Sequence, residues 1–255
     1  MNLINILGVG ISPIDIPVAI QTIDGWIQDR QPHYVCVIPV HSIMLAFDNP
    51  ELRTIINASG MVTPDGVPVV WVSRLFGFKQ TRRVYGPDLM LALCEHSTQN
   101  GYAHYFYGGA EGVPEKLVQN LQQRCPGVKI AGTFSPPFRT LSEEEDQRII
   151  DTINGSGADI VWVGLGSPKQ EYWMASHRDR LTAPVLIGVG AAFDFHAGVK
   201  KQAPLWMQRS GLEWLFRLLS EPSRLWKRYL VNNPRFVWHV ILQACGLRKY
   251  PLDQT

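Results

Sequence analysis

Apolar runs of strand length alternate with segments of helical period along this chain, and that alternation restricts the fold more than any other sequence feature. The runs are 3–9, 34–40, 60–63, 103–108, 129–134, 160–165 and 185–189. Helical patterns occupy roughly 15–29, 42–58, 66–76, 87–99, 113–124, 142–153 and 168–180. In the first of these, Ile16, Ala19, Ile20, Ile23, Trp26 and Ile27 recur at three and four, behind Asp15 as an N-cap and Pro17. Near-continuous apolar strands separated by amphipathic helices are the pattern of a parallel sheet covered on both faces. The expected fold is α/β: an open, mostly parallel, Rossmann-like sheet flanked by helices. Ser142 precedes Glu143, Glu144, Glu145 and Asp146, which places four acids in the first turn of a capped helix, where the macrodipole favours negative charge.

At 255 residues the chain is near the upper limit for a single hydrophobic core. The core therefore reads as one unit over 1–202 or as two Rossmann-like halves, about 1–100 and 101–202. With 45% hydrophobic and 18% charged residues, disorder is excluded as the main state. The net charge of +2 conceals an asymmetry: residues 1–199 hold 14 Lys and Arg against 19 Asp and Glu, whereas 200–255 hold 10 against 3. Four of the eight Trp also lie in that tail. The strand pattern stops near 200, so 203–255 is expected to be a basic, Trp-rich helical appendage whose deletion leaves a folded core. Pro222 and Pro234 are expected to divide it into short helices.

Cys36, Cys94, Cys125 and Cys245 are far apart with no C-x-x-C pair, which reads as buried free thiols in a reducing compartment. Met1 to Leu7 carries no basic n-region, and no apolar run approaches the roughly 18 to 20 residues that span a bilayer. A cytoplasmic protein is expected.

Ligands of open parallel sheets bind outside the carboxyl ends of the strands. Those ends carry Gly108-Gly109, Ser135-Pro136, Gly166-Ser167-Pro168-Lys169-Gln170-Glu171 and Gly190-Ala191-Ala192-Phe193-Asp194. Glycine turns opening onto helices suit phosphate, because backbone N–H groups and the helix dipole face the anion. A glycine there also serves simply to make a tight strand-to-helix connection. Lys169 or Gln170 is the expected ligand contact, and Asp194 the acceptor for ribose hydroxyls or the cap of the next turn. Asp65, in Thr63-Pro64-Asp65-Gly66, puts a carboxylate at the same sheet edge, although an Asp-Gly corner is also an ordinary turn. Arg82 and Arg83 precede a helix and either face solvent or reach a diphosphate. His41 and His196, near strand ends, are the only histidines retained as site candidates. The chain has no G-x-G-x-x-G after its first strand, no P-loop, no G-x-S-x-G, no H-E-x-x-H and no Asp-x-Asp pair.

Thr63-Pro64-Asp65-Gly66, Arg83-Val84-Tyr85-Gly86-Pro87-Asp88-Leu89, Gly164 to Glu171 and Gly211-Leu212-Glu213-Trp214 occur in one order. With them the chain resembles the WecG/TagA/CpsF family of bacterial glycosyltransferases from about residue 3 to 230. The resemblance implies transfer of a hexose, of N-acetylmannosamine, N-acetylmannosaminuronate or glucose type, from a UDP-sugar to a polyprenyl-diphosphate-linked sugar. Inversion, no obligatory metal or other cofactor, and a role in cell-surface polysaccharide synthesis are implied with it. It makes Asp65 the general base, Arg83 and Gln170 polar active-site residues and Asp194 a nucleotide-side position. Where many relatives carry Thr-x-Asn, this chain reads Val37-Ile38-Pro39-Val40-His41, which removes a hydroxyl and an amide near the acceptor.

In the family the C-terminal segment is tied to membrane association and to completing the active site. Here Arg217, Arg224, Lys227, Arg228 and Arg235 interleave with Trp214, Phe216, Trp226, Tyr229, Phe236 and Trp238, the makings of interfacial helices. Arg217 and Arg224 are the foremost candidates for the diphosphate. The expected location is cytoplasmic, peripherally bound to the inner face of the plasma membrane. No nucleic-acid partner is expected, and a homo-oligomer is left open. A second reading, from the altered second strand, is a UDP-sugar-binding regulatory or scaffold protein at the membrane that has lost catalysis.

Overall fold

The computed structural model describes residues 2–252. Its strands are β1 (Ile4–Ile6), β2 (Val9–Ile11), β3 (His33–Ile38), β4 (Met61–Pro64), β5 (Ala103–Gly108), β6 (Lys129–Phe134), β7 (Ile160–Gly164) and β8 (Val185–Gly188). Six form a sheet of order β4-β3-β8-β7-β5-β6, flanked by helices, with further helices after residue 204. The β3–β8, β8–β7, β7–β5 and β5–β6 pairs are all parallel, so the expected α/β class is the fold found.

Contacts gather the chain into two compact units. The first comprises residues 1–15, 37–85 and 202–255, and the second 16–36 and 86–201. The tail, set apart by composition, therefore clusters with the N-terminal segments. Within the first unit, Leu7 N donates to Gln243 Oε1 (3.0 Å), Gln243 Nε2 to Asn5 O (2.9 Å) and Asn5 Nδ2 to Tyr250 O (2.6 Å). Arg235 adds a two-pronged ion pair to Asp48. Deleting 203–255 removes all of these contacts, so the deletion tests folding as well as function.

Three local expectations are corrected. The run 3–9 is the start of an antiparallel hairpin, β1–β2, because Leu7 and Gly8 both take positive φ (54° and 88°) and Asn5 Oδ1 accepts from Gly8 N–H. The segment 42–58 is two helices, Val40–Asp48 and Pro50–Asn57; Asn49 caps the second, and Pro50, at its first position, cannot continue the helix before it. Pro222 does open a helix, Pro222–Trp226. Pro234, however, lies in the first turn of the helix Asn232–Ala244, where its missing N–H costs little, and a π-helical turn at 227–231 joins the two. Three cysteines are buried as expected, whereas Cys245 is exposed past the end of that last helix. The predicted Ser142 cap is a full capping box with Glu145.

The second unit's core is strand against helix, with Phe106, Trp162 and Ile187 buried in β5, β7 and β8. At its centre His104 Nδ1 accepts from Trp162 Nε1–H at 2.9 Å, with the rings stacked. Burial pushes the His104 pKa down to about 3. A histidine held neutral in the folded state contributes stability that is complete above its ordinary value of 6.5 and is lost as pH falls from there toward about 3. The share of the loss between pH 7 and pH 4.5 that belongs to His104 is about 2–3 kcal/mol. Urea unfolding at the two pH values measures it. His104→Gln, which keeps an acceptor for Trp162 but does not titrate, should remove that share of the dependence.

Candidate functional site

In the first unit, β4 ends at Pro64 and the chain turns through Asp65 and Gly66 into the helix Val67–Leu75. Asp65 N–H donates to Ile38 O, which ties this turn to the end of β3. The turn forms one wall of a cavity. Pro39, Val40 and His41 supply a second wall, and Glu213, Trp214, Arg217, Arg228 and Tyr229 from the tail close it. Arg83 lines the same cavity, with its Nε–H donating to Asp65 O at 2.6 Å and its Nη2–H to Glu213 Oε2. Its guanidinium lies over the Tyr85 ring, 3.9 Å from the centroid, and Tyr85 Oη donates to Glu213 Oε1 at 3.1 Å.

The electrostatics follow from that crowding. Burial opposes the charge on Arg83, but Asp65 and Glu213 outweigh it and hold its pKa above the ordinary value. Burial, then Glu213 and Asp65, push the Tyr85 phenol well up, so it stays a donor. His41 is pushed down to about 4 by burial and by Arg228 and Arg217, so at neutral pH it is an uncharged ring, 3.2 Å from Asn232 Nδ2 at its Nδ1. Burial and Arg217 lower Arg228, while Tyr229 and Asp65 act to raise it. A carboxylate surrounded by cations can take a proton from a hydroxyl while the cations hold an anionic ligand.

In the second unit, the carboxyl ends of β5, β7 and β8 are lined with glycine. Gly108 and Gly109 take positive φ, and Gly109 N–H donates to Gly164 O at 3.1 Å. A Cβ on Gly108 would lie 2.6 Å from the Gly164 carbonyl carbon, and one on Gly164 would lie 2.7 Å from the Phe193 ring. Close packing of the strand ends is thus one reason for these glycines. Gln170 N–H donates to Gly166 O, and its side-chain amide sits beside Gly188 and Gly190. Ser167 Oγ–H and Gln170 Nε2–H both donate to Glu171 Oε1, at 2.7 and 3.2 Å.

Gln170, one of the two expected ligand contacts, and Glu171 are buried; Glu171 has its pKa raised by burial against the hydrogen bonds it accepts. Gln170 Oε1 and Glu171 Oε2 have no protein partner. Lys169 is exposed and Pro136 half-buried, and the Asp194 carboxylate is paired with Lys200 at 3.0 Å. His196 is structural: its Nε2 bonds Pro87 O at 2.9 Å, beneath the helix Gly86–Asn100.

The structure thus brings Asp65, Arg83, His41 and Arg217 together in one unit. It places Gly108, Gly109, Pro136, Gly166, Ser167, Lys169, Gln170, Gly190, Phe193 and Asp194 in the other. Arg224 does not line the cavity; it is exposed and paired with Glu221. Glu213, Tyr85, Arg228 and Glu171 were not singled out as site residues. The signal available for the first two was their position within the recurring motifs, Gly211 to Trp214 and Arg83 to Leu89.

A parallel α/β sheet with glycine-lined strand ends, and a carboxylate set among arginines in a cavity, are features that suit an enzyme of phosphorylated ligands. The chain belongs to the glycosyl transferase WecG/TagA/CpsF family, whose sequence profile matches residues 4–250. It is therefore a glycosyltransferase. It is 34% identical over 197 residues to the N-acetylglucosaminyldiphosphoundecaprenol N-acetyl-beta-D-mannosaminyltransferase of Bacillus spizizenii, a match covering 77% of this chain and 74% of the relative.

Proposed function

We propose that the protein is an inverting glycosyltransferase that moves a hexose from a UDP-sugar to a polyprenyl-diphosphate-linked sugar in cell-surface polysaccharide synthesis. The observation that carries this reading is the placement of Asp65 among Arg83, Arg217 and Arg228 in one cavity. In the reaction the acceptor hydroxyl attacks the anomeric carbon and gives its proton to Asp65. The bond from that carbon to the UDP oxygen breaks, and UDP departs with the electron pair. Arg83 and Arg217, which line the same cavity, hold diphosphate charge. The relative in Bacillus spizizenii is named for a diphosphoundecaprenol acceptor, which supports an acceptor of that class here.

Arginine supplies the positive charge in this scheme, so no metal is obligatory in it. The cavity wall at Pro39 and Val40 offers a sugar neither a side-chain hydroxyl nor an amide, so the donor hexose is to be found by screening. Peripheral attachment at the inner face of the plasma membrane is part of the proposal. It is supported by the exposure of Trp206 and Trp226 beside the tail's arginines and lysines. Among the described residues no helix is long and apolar enough to cross a membrane.

UDP release from a panel of UDP-sugars, with N-acetylglucosaminyldiphosphoundecaprenol as acceptor, tests the reading. Sustained turnover with one donor, unchanged by EDTA, is expected. A UDP-sugar that raises the melting temperature but is never turned over with any lipid-linked acceptor would point instead to the binding protein. Sedimentation with anionic vesicles should carry the protein down, and unchanged sedimentation would refute the membrane role.

A further inference from the structure

The arginine-lined cavity of the first unit does not end at its cations. Trp214, Tyr229 and Asn233 line it and also line a second, almost wholly apolar groove of about 510 Å³. That groove runs along the helix Asn232–Ala244, past Val237, Trp238 and Ile241. These three are 55%, 60% and 48% exposed, whereas Phe236 and Val240 of the same helix are buried. The helix therefore has one face committed to the core and another, equally apolar, that the fold leaves uncovered.

We propose that this groove seats the first isoprene units of the acceptor's lipid chain, where that chain leaves the cationic cavity lined by Arg83, Arg217 and Arg228. The inference rests on the acceptor class put forward above and deepens it. A prenyl diphosphate is a dianion joined directly to an apolar chain. Here a cationic cavity joins an apolar groove, with three residues common to both. The volume is of the size that holds part of a small ligand. An exposed apolar patch meant only to lie on a membrane has no need to begin at a diphosphate site.

The test compares farnesyl diphosphate with inorganic diphosphate by quenching of Trp fluorescence in the full chain, and undecaprenyl with geranyl acceptors by KM. Farnesyl diphosphate should bind at least about tenfold more tightly than inorganic diphosphate, the equivalent of about two buried methylene groups. The double variant Trp238→Ser, Ile241→Ser removes exposed side chains and leaves Phe236 and Val240 in place. It should erase most of that difference and narrow the gap between the two KM values, with its thermal midpoint confirming that it folds. Equal affinity of the wild type for the two diphosphates would overturn the proposal. So would a variant whose loss on undecaprenyl acceptor is matched by an equal loss of binding to phosphatidylglycerol vesicles free of acceptor, since the groove would then be a membrane contact. Absence of turnover with every acceptor counts against the glycosyl-transfer reading alone, because the farnesyl comparison needs no transfer.

Discussion

Asp65→Asn should lower kcat by roughly three orders of magnitude and leave the KM for both substrates within a few-fold, because a general base contributes about 10²–10⁴ in rate. The substitution keeps the shape of the side chain and removes its ability to take a proton. The backbone of residue 65 does the local structural work: its N–H bonds Ile38 O and its carbonyl accepts from Arg83. The carboxylate also offsets the buried charges of Arg83 and Arg228, so the thermal midpoint of Asp65→Asn should fall, and its measurement separates that loss from the loss of kcat. Arg83→Ala is expected to act differently, raising KM as well as lowering kcat, since its charge is placed for a ligand as well as for the fold. Turnover that survived Asp65→Asn but not Arg83→Ala would show that the proton goes elsewhere.

The second large effect is on stability. Arg83 and Glu213 form a mostly buried pair, 20% and 14% exposed at their side chains, which joins the loop before Gly86 to the helix Glu213–Ser220 of the same unit. Breaking a buried pair from one side leaves a charge without its partner, at a cost of about 3–5 kcal/mol. Glu213→Ala also deprives the Tyr85 hydroxyl of its acceptor. We expect it to lower the unfolding free energy in urea by about 3 kcal/mol and to misplace Arg83 in the cavity. Replacing both partners by apolar residues, Arg83→Met with Glu213→Leu, should recover most of the stability and none of the activity. Additive losses in that double variant would mean that the pair is not coupled.

The sheet was legible because strand runs and helical periods differ in kind, and five of the expected strands start and end within one residue of those found. The chain's pattern failed where a single backbone choice overrode it. Leu7 adopts positive φ inside an apolar run, and nothing in its side chain announces the turn. Pro234 sits in the first turn of a helix, a place that composition cannot tell from a break. For the candidate site, the glycine turns and Asp65 stood out by their position at strand ends, while the roles of Asp65 and Arg83 came from the family resemblance of the motifs that hold them. Glu213 was not, because its partner lies 130 residues earlier in the chain and only the tertiary fold joins them. The burial of Gln170 and Glu171 was not legible either, because a run of long polar residues at a helix N-terminus does not show which of them the helix turns inward.

Between its two units the chain passes four times, after residues 15, 36, 85 and 201. Neither unit is thus a continuous stretch that a gene fragment could encode. An exchange of the Asp65 cavity between relatives would have to move 1–15, 37–85 and 202–255 together, since the N-terminal hairpin, the Asp65 turn and the tail helices form one folded body. The stretch 86–201 is the longest segment confined to a single unit, which makes it the natural cassette for exchange between members of the family.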